Sequence, residues 1–407
     1  MKCKFKNLSD ESKVVIIIYL FYVLASLISF LWAVTQKRYN GDYDDKAVFL
    51  SFGELFIIFI FNVIPIFLTL NIYFHFKKYR AKKYVTVNNS KLKIFAIFMQ
   101  MIYLSFVILY GVGRAGGEEY YAPGPIKLLI QIVIRLFPTT WGTVYLYSAP
   151  KRLYKSKILI AFIYIVIAIL SLSMGWVITV GSVIFLLNYK KVIIFCKKHI
   201  VLVIIGITII PFLVGFAYNI RDIMRGQITS AVSFKPGYLI FSKLFGRFSS
   251  FSATAVIYDY QDFFKEKAVS FDSLFYQKSM LSFVSSKFAP KEVFEKVVTM
   301  RDAKNYSFMA GISGILLFSY YIDLYTFIMN TLCIFGFVYL IFFLYSKLHF
   351  SYNLEYCALT IVMTVVAGTG VSIFSSFFGI VVLLVGILVI NKFFVSIKAS
   401  QSGVQNE

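Results

Sequence analysis

Two arginines four residues apart, Arg221 and Arg225 in the run NIRDIMRGQ, open the longest polar stretch of this chain, from about Asn219 to Asn305. If the preceding apolar segment continues as a helix through them, this spacing turns both guanidinium groups to one face. Arginine stays charged and offers planar pairs of donors, so two such forks match two phosphate groups. Arginines at the end of a span also anchor to lipid headgroups, the plainer reading of the same pair. Asp222 between them is a carboxylate able to take a proton from a hydroxyl. Asp259 and Asp262 are further candidates for that role.

A second arginine, Arg247, stands in GRFSSFSATA. From Phe241 to Tyr258, Phe241, Leu244, Phe248, Phe251, Ala255 and Tyr258 recur at steps of three and four. Lys243, Arg247, Ser250 and Thr254 keep the same rhythm on another face, so the pattern predicts an amphipathic helix. Lying on a membrane surface, it would hold Lys243 and Arg247 over the headgroups. A helix packed on neighbouring spans with a solvated basic face fits the pattern as well.

Arg135 is the costliest residue, because it falls nine positions into an apolar segment starting near Ile126. That is about 13 Å along a helix, and a charge so deep costs at least ~2.5 kcal/mol on insertion scales. It should face a polar cavity or pair with Glu118 or Glu119, and Pro138, one turn on, could kink the helix beside it. Arg114, Arg301 and Tyr258 complete the candidate substrate-binding set with Arg135 and Lys243. The acidic turn Asp42, Asp44 and Asp45 suits a general base or a cation, although a solvated turn is the commoner meaning of such a run. His75, His199 and His349 all fall in or beside the basic loops described below, which disfavours an outer histidine base. Cys3, Cys196, Cys333 and Cys357 have no metal-site or disulfide spacing.

The elements that must position these residues are membrane helices. The 407 residues are 59% hydrophobic and 15% charged, which excludes an ordinary soluble domain. With about 20 apolar residues needed per crossing, about ten spans can be laid along the chain. They run near 14–35, 48–74, 93–113, 126–148, a hairpin within 158–188 turning near Met174, then 200–218, 321–345, 355–373 and 377–394. Between them, Tyr306 to Tyr320 is apolar but too short to cross, and reads as a re-entrant helix. The expected organisation is an N-terminal bundle over 1–218 with about seven spans, a large loop over 219–320, and about three spans with a tail over 321–407.

The net charge of +22 suggests nucleic acid only until the lysines and arginines are located. Lys77, Lys78, Arg80, Lys82 and Lys83 share one loop, Lys151, Arg152, Lys155 and Lys157 another, and Lys190, Lys191, Lys197 and Lys198 a third. Short basic loops remain in the cytoplasm, so both termini are expected there and the large loop outside.

Taken as architecture over the whole chain, this arrangement resembles the Wzy-type O-antigen (oligosaccharide repeat unit) polymerases. NIRDIMRGQ, GRFSSFSATA and the Gly-rich GISGILLFSYYIDLY carry the resemblance. It implies an all-α polytopic fold related to GT-C, and location in a bacterial inner membrane. It also implies joining of undecaprenyl-diphosphate-linked oligosaccharides at the periplasmic face, without a nucleotide sugar, a cofactor or a metal. Membrane lipids and a polysaccharide chain-length regulator are the other partners so implied. Relatives often carry a Ser-Arg or Ser-Lys pair in the hairpin after the fifth span, where this chain has SLSMGWVITVGS; Arg135 would have to substitute. The other functions weighed are a lipid-linked oligosaccharide flippase, an O-antigen ligase-like enzyme and a polyprenyl-phosphate-sugar glycosyltransferase. A ligase resemblance would imply an outer histidine, and a transporter more often shows two matched halves.

Overall fold

The computed structural model describes residues 8–79, 85–86, 88–113, 122–149, 153–171, 175–206, 248–282, 286–290, 294–299, 310–349, 352–366 and 372–402, with short pieces at 208–209, 212, 245–246, 292 and 368. Fifteen α-helices are defined among these residues. They are α1 Asp10–Gln36, α2 Phe52–Lys78, α3 Asn89–Tyr110, α4 Gly124–Arg135, α5 Pro138–Ser148, α6 Tyr154–Leu170, α7 Gly175–Lys198 and α8 Phe251–Asp259. There follow α9 Gln261–Ser270, α10 Phe275–Leu281, α11 Phe294–Thr299, α12 Gly311–Ile322, α13 Leu324–Lys347, α14 Asn353–Ile361 and α15 Ser372–Ser402. The described sheet is one parallel pair of two-residue strands, Val85–Thr86 beside Leu348–His349.

Six stretches are long and apolar enough to cross a membrane among the described residues: 10–36, 52–78, 89–110, 124–148, 324–347 and 373–392. Leu20, Leu24, Leu31, Ile57, Ile60, Ile64 and Phe67 on α1 and α2 are exposed. Such a run of uncovered apolar side chains belongs against lipid tails rather than water. The chain is a helical membrane protein.

The helix ends follow local chemistry. Ser9 caps α1, its Oγ accepting Ser12 N at 3.3 Å, and Asp10 and Glu11 complement the helix dipole. Asn88 caps α3 through Ser90 N and Lys91 N, and Gly111 ends it in the left-handed conformation. Within 158–188, where a hairpin was expected, two successive helices α6 and α7 are found; its turn near Met174 lies outside the described residues, and α7 runs on through the basic cluster to Lys198.

Two expected spans are interrupted. The segment 124–148 breaks between α4 and α5, where Phe137 takes φ +50 and Pro138 starts the next helix. Proline lacks the N–H that would continue the ladder, so the chain restarts rather than kinks. The ninth span is split as well: α14 passes into a π-helical turn at Val362–Val366, and α15 begins only at Ser372.

The fold comprises two compact units. The first contains 1–74, 188–339 and 358–375. Within it α8 packs on α1 and α12, and α9 also packs on α12. Phe264, Phe275 and Phe318 are fully buried at its core. The 12-residue α12 is buried along Gly311–Leu316 and at Phe318 and Ser319, which suits the short apolar segment expected near it. Pro65 in α2 deprives the Phe61 carbonyl of its helical donor, and Ser313 Oγ of α12 donates to that carbonyl at 3.2 Å. A sequence defect in one helix thus becomes the docking point of another.

The second unit contains 75–187, 340–357 and 376–407. Here α3 packs along α5 and α6, with α4 beside α3. Buried Trp141 of α5 donates Nε1–H to Leu136 O at 2.9 Å across the helix break. Gly386 of α15 lies so close to that indole that a Cβ there would overlap the ring. Lys77 pairs with Glu355, whose side chain is almost fully buried, and the tyrosine rings of Tyr147 and Tyr345 flank that of Tyr356.

Candidate functional site

The segment GRFSSFSATA is built into the first unit by a buried lattice of neutral polar side chains. Ser249, Ser250, Ser252 and Thr254 are all buried, as are Ser26 and Ser29 of α1, Asn62 of α2 and Asn40 of the turn between them. Asn62 joins two of these elements to the segment: its Nδ2 donates to Ser26 Oγ at 3.0 Å, and its Oδ1 accepts Ser250 Oγ at 2.6 Å. Ser249 Oγ donates to Ser26 Oγ at 3.1 Å and accepts Phe251 N at the start of α8. Asn40 repeats the pattern, donating to Ser29 Oγ at 2.9 Å and accepting the Ser252 hydroxyl. Each group would cost about 1–3 kcal/mol if buried without a partner, so the lattice specifies one docking of the segment. It carries no titratable group and therefore positions rather than reacts.

Backbone contact completes the docking. A Cβ added to Gly41 would lie 3.0 Å from Gly246 Cα, and one added to Gly246 would overlap Gly41 and Asn40. Gly41 also holds φ +75, a conformation that favours glycine. The turn Asn40–Tyr43 and the start of GRFSSFSATA therefore meet with no side chain between them. Next along the segment, the Phe248 ring stands edge-on to Phe21, 5.1 Å away. Gly311 closes the other side. It has φ +61, donates its N–H to Gly368 O at 2.8 Å, and leaves no room for a Cβ beside Ser250 and Val366 O.

At the far end of α8, Asp259 Oδ2 accepts the Tyr39 hydroxyl at 2.7 Å and Phe49 N at 3.0 Å. Burial, and then the neighbouring Asp259 carboxylate, push the Tyr39 hydroxyl above its ordinary pKa. Tyr260 beside it is also raised, first by burial and then by Asp259 and Asp45. Asp259 is thus committed to holding the 37–51 turn, a duty that conflicts with the base role considered from sequence. Asp262 is exposed. Of the acidic turn, Asp44 is half-buried and Asp45 exposed, with Lys46 Nζ 3.9 Å from Asp45 Oδ2 and 5.9 Å from the Tyr260 ring centre. Among the described residues no three His, Cys, Asp or Glu side chains are grouped as around an ion.

Arg221, Asp222, Arg225, Lys243, Arg247, Arg114 and Arg301 lie outside the described residues. Tyr258 is half-buried near the end of α8. Its helix corrects one expectation. Where an amphipathic helix over Phe241–Tyr258 was expected, α8 covers Phe251–Asp259 and is buried on every side from Phe251 to Ile257. Ser250 and Thr254, expected on the polar surface, are internal, because Asn62 and the Ser250 carbonyl satisfy their hydroxyls there. Arg135 lies within the apolar stretch 124–148. It is exposed and occupies the C-terminal turn of α4 at the break, where the helix dipole favours a cation.

Sequence reasoning passed over Asn40, Asn62 and Gly41, the residues that grip GRFSSFSATA, and Tyr39, which holds Asp259. A signal was there in the polar residues within otherwise apolar spans: Ser26 and Ser29 share one face of α1, and Asn62 lies inside α2. Uncharged polar residues in a span mark helix contacts. Comparison with protein-family models, with curated proteins and with solved structures finds no match for this chain.

Proposed function

We propose that this protein is a polysaccharide polymerase of the O-antigen type, joining undecaprenyl-diphosphate-linked oligosaccharide repeat units at the periplasmic face of a bacterial inner membrane. The carrying observation is the backbone contact of Gly41 with Gly246. Arg247 follows Gly246 in the chain and Asp42 follows Gly41, so the contact joins the arginine-bearing segment to the acidic first turn. The serine–asparagine lattice supports the same reading, since it holds the residues that follow Arg247 in one place. Preorganised donors aimed at developing charge are the largest contribution in many enzymes of this kind.

In the reaction, an acceptor sugar hydroxyl attacks the anomeric carbon of the donor glycan. The new C–O bond forms as the bond from that carbon to the diphosphate oxygen breaks, and the electron pair leaves on the diphosphate. Arg221, Arg225 and Arg247 stabilise that charge. The hydroxyl proton passes to a carboxylate such as Asp222 or to water. Arg135, Lys243, Arg114, Arg301 and Tyr258 hold the lipid-linked substrates, and no metal enters the reaction.

The test is to incubate the purified protein with a synthetic undecaprenyl-diphosphate repeat unit and resolve the products by size. A ladder that disappears when Arg221 and Arg247 are both replaced by Ala is the expected result. A ladder that persists in that variant refutes the arginine assignment. Transport of labelled lipid across liposomes without a ladder refutes the polymerase and favours a flippase.

A further inference from the structure

The first unit holds a cavity of about 320 Å³ lined by Ser270, Phe271, Asp272, Lys278 and Glu292. Its floor is fixed by the aromatic core. Phe271 leaves the end of α9 in an extended conformation, and its ring meets Phe275 at 5.2 Å and Phe318 at 5.0 Å. Asp272 then caps the next turn, Oδ1 accepting Leu274 N at 2.9 Å, while its Oδ2 accepts from Lys278 Nζ. Phe275 is fully buried, so the turn that presents this ion pair is anchored from beneath.

The charges select among ligands. Among the described lining residues there are two carboxylates, Asp272 and Glu292, and one ammonium, Lys278. Among the described lining residues a diphosphate would meet one ammonium, already paired with Asp272. Donors and acceptors of both signs beside a serine hydroxyl instead suit vicinal hydroxyls, each of which gives and takes a hydrogen bond. The volume lies at the small end of ligand pockets, about 300–1,000 Å³, enough for a short saccharide and too small for a folded partner.

We infer that this cleft is a subsite for sugar rings of the acceptor oligosaccharide. The inference rests on the polymerase reading above, and its test is chosen so that the two can fail separately. The probe is the repeat-unit oligosaccharide released by mild acid from the lipid-linked pool of source cells lacking this protein. It is titrated calorimetrically into the full-length protein in nanodiscs. Glu292→Gln and Lys278→Met should each weaken binding about tenfold or more, the loss expected for one charged hydrogen bond. Glu266→Gln, an exposed change on α9 outside the cleft lining, should leave it unaltered. Glu292 is exposed, so its variant tests the cleft without a folding defect.

Unchanged affinity in both cleft variants overturns the subsite, even if a ladder forms. Pyrophosphate that competes with the oligosaccharide and loses affinity in Lys278→Met also overturns it. Cleft-dependent oligosaccharide binding without any ladder upholds the subsite and refutes the polymerase.

Discussion

Asp259 Oδ2 accepts the Tyr39 hydroxyl at 2.7 Å, tying the turn after the first membrane helix to the end of a helix 220 positions away in sequence. Asp259 also receives Phe49 N, so one carboxylate organises both ends of that turn. Tyr39→Phe removes the hydroxyl while keeping the buried ring, and should cost about 1.5–3 kcal/mol, the range for hydrogen bonds to charged groups. A lower midpoint of thermal unfolding in detergent checks this.

The same pair predicts an alkaline limit. The folded state holds the Tyr39 hydroxyl above its ordinary value near 10, so the folded protein binds that proton more tightly than the unfolded chain. The contribution is fully present below about pH 10 and falls as pH rises beyond it. Thermal scans from pH 8 to 11 should show this loss in the parent protein, and a shallower one in Tyr39→Phe.

Gly246→Ala introduces a Cβ where the Gly41 backbone already lies. Overpacking of this kind costs about 1–3 kcal/mol and would push the Arg247 segment from the acidic turn. The ladder should weaken in this variant more than in Gly336→Ala, where an added Cβ meets nothing within 4 Å. Equal activity in the two would remove the main support for the proposed function.

Asn62 and Ser250 should be energetically coupled. Replacing either with Ala leaves a buried polar partner behind, while replacing both removes the interaction. A double-mutant cycle should give an interaction energy of about 0.5–3 kcal/mol. Strict additivity would mean that the lattice does not hold the segment.

In the second unit, Gly386→Leu should destabilise the packing of α15 on Trp141, because the glycine allows the indole to lie against the helix backbone. Loss of trypsin resistance around α5, compared with the parent, is the expected observation.

The membrane helices were legible in the sequence because span length and hydropathy are local properties. The first three expected spans correspond closely to α1, α2 and α3, and two helices, α6 and α7, occupy the region of the expected hairpin within 158–188. Breaks were less legible. Pro138 announced one, but whether a proline bends a helix or ends it depends on the Phe137 backbone that the surroundings stabilise. The interruption after Val366 has no proline to announce it.

The largest difference concerns Phe241–Tyr258. Serine and threonine at helical spacing read as a polar surface only when water is assumed to be their partner. Here Asn62, Asn40 and Ser26 supply the partners, and they lie 188 or more positions earlier in the chain.

By itself, then, the sequence determined a helical membrane protein with a long polar segment, since apolar runs of about 20 residues are decided residue by residue. Tertiary structure alone decided that GRFSSFSATA turns its hydroxyls inward and that Gly246 meets Gly41. A buried hydroxyl is tolerable only against a specific partner, and two backbones touch only where both positions lack a Cβ. Neither condition can be read from one segment without the other.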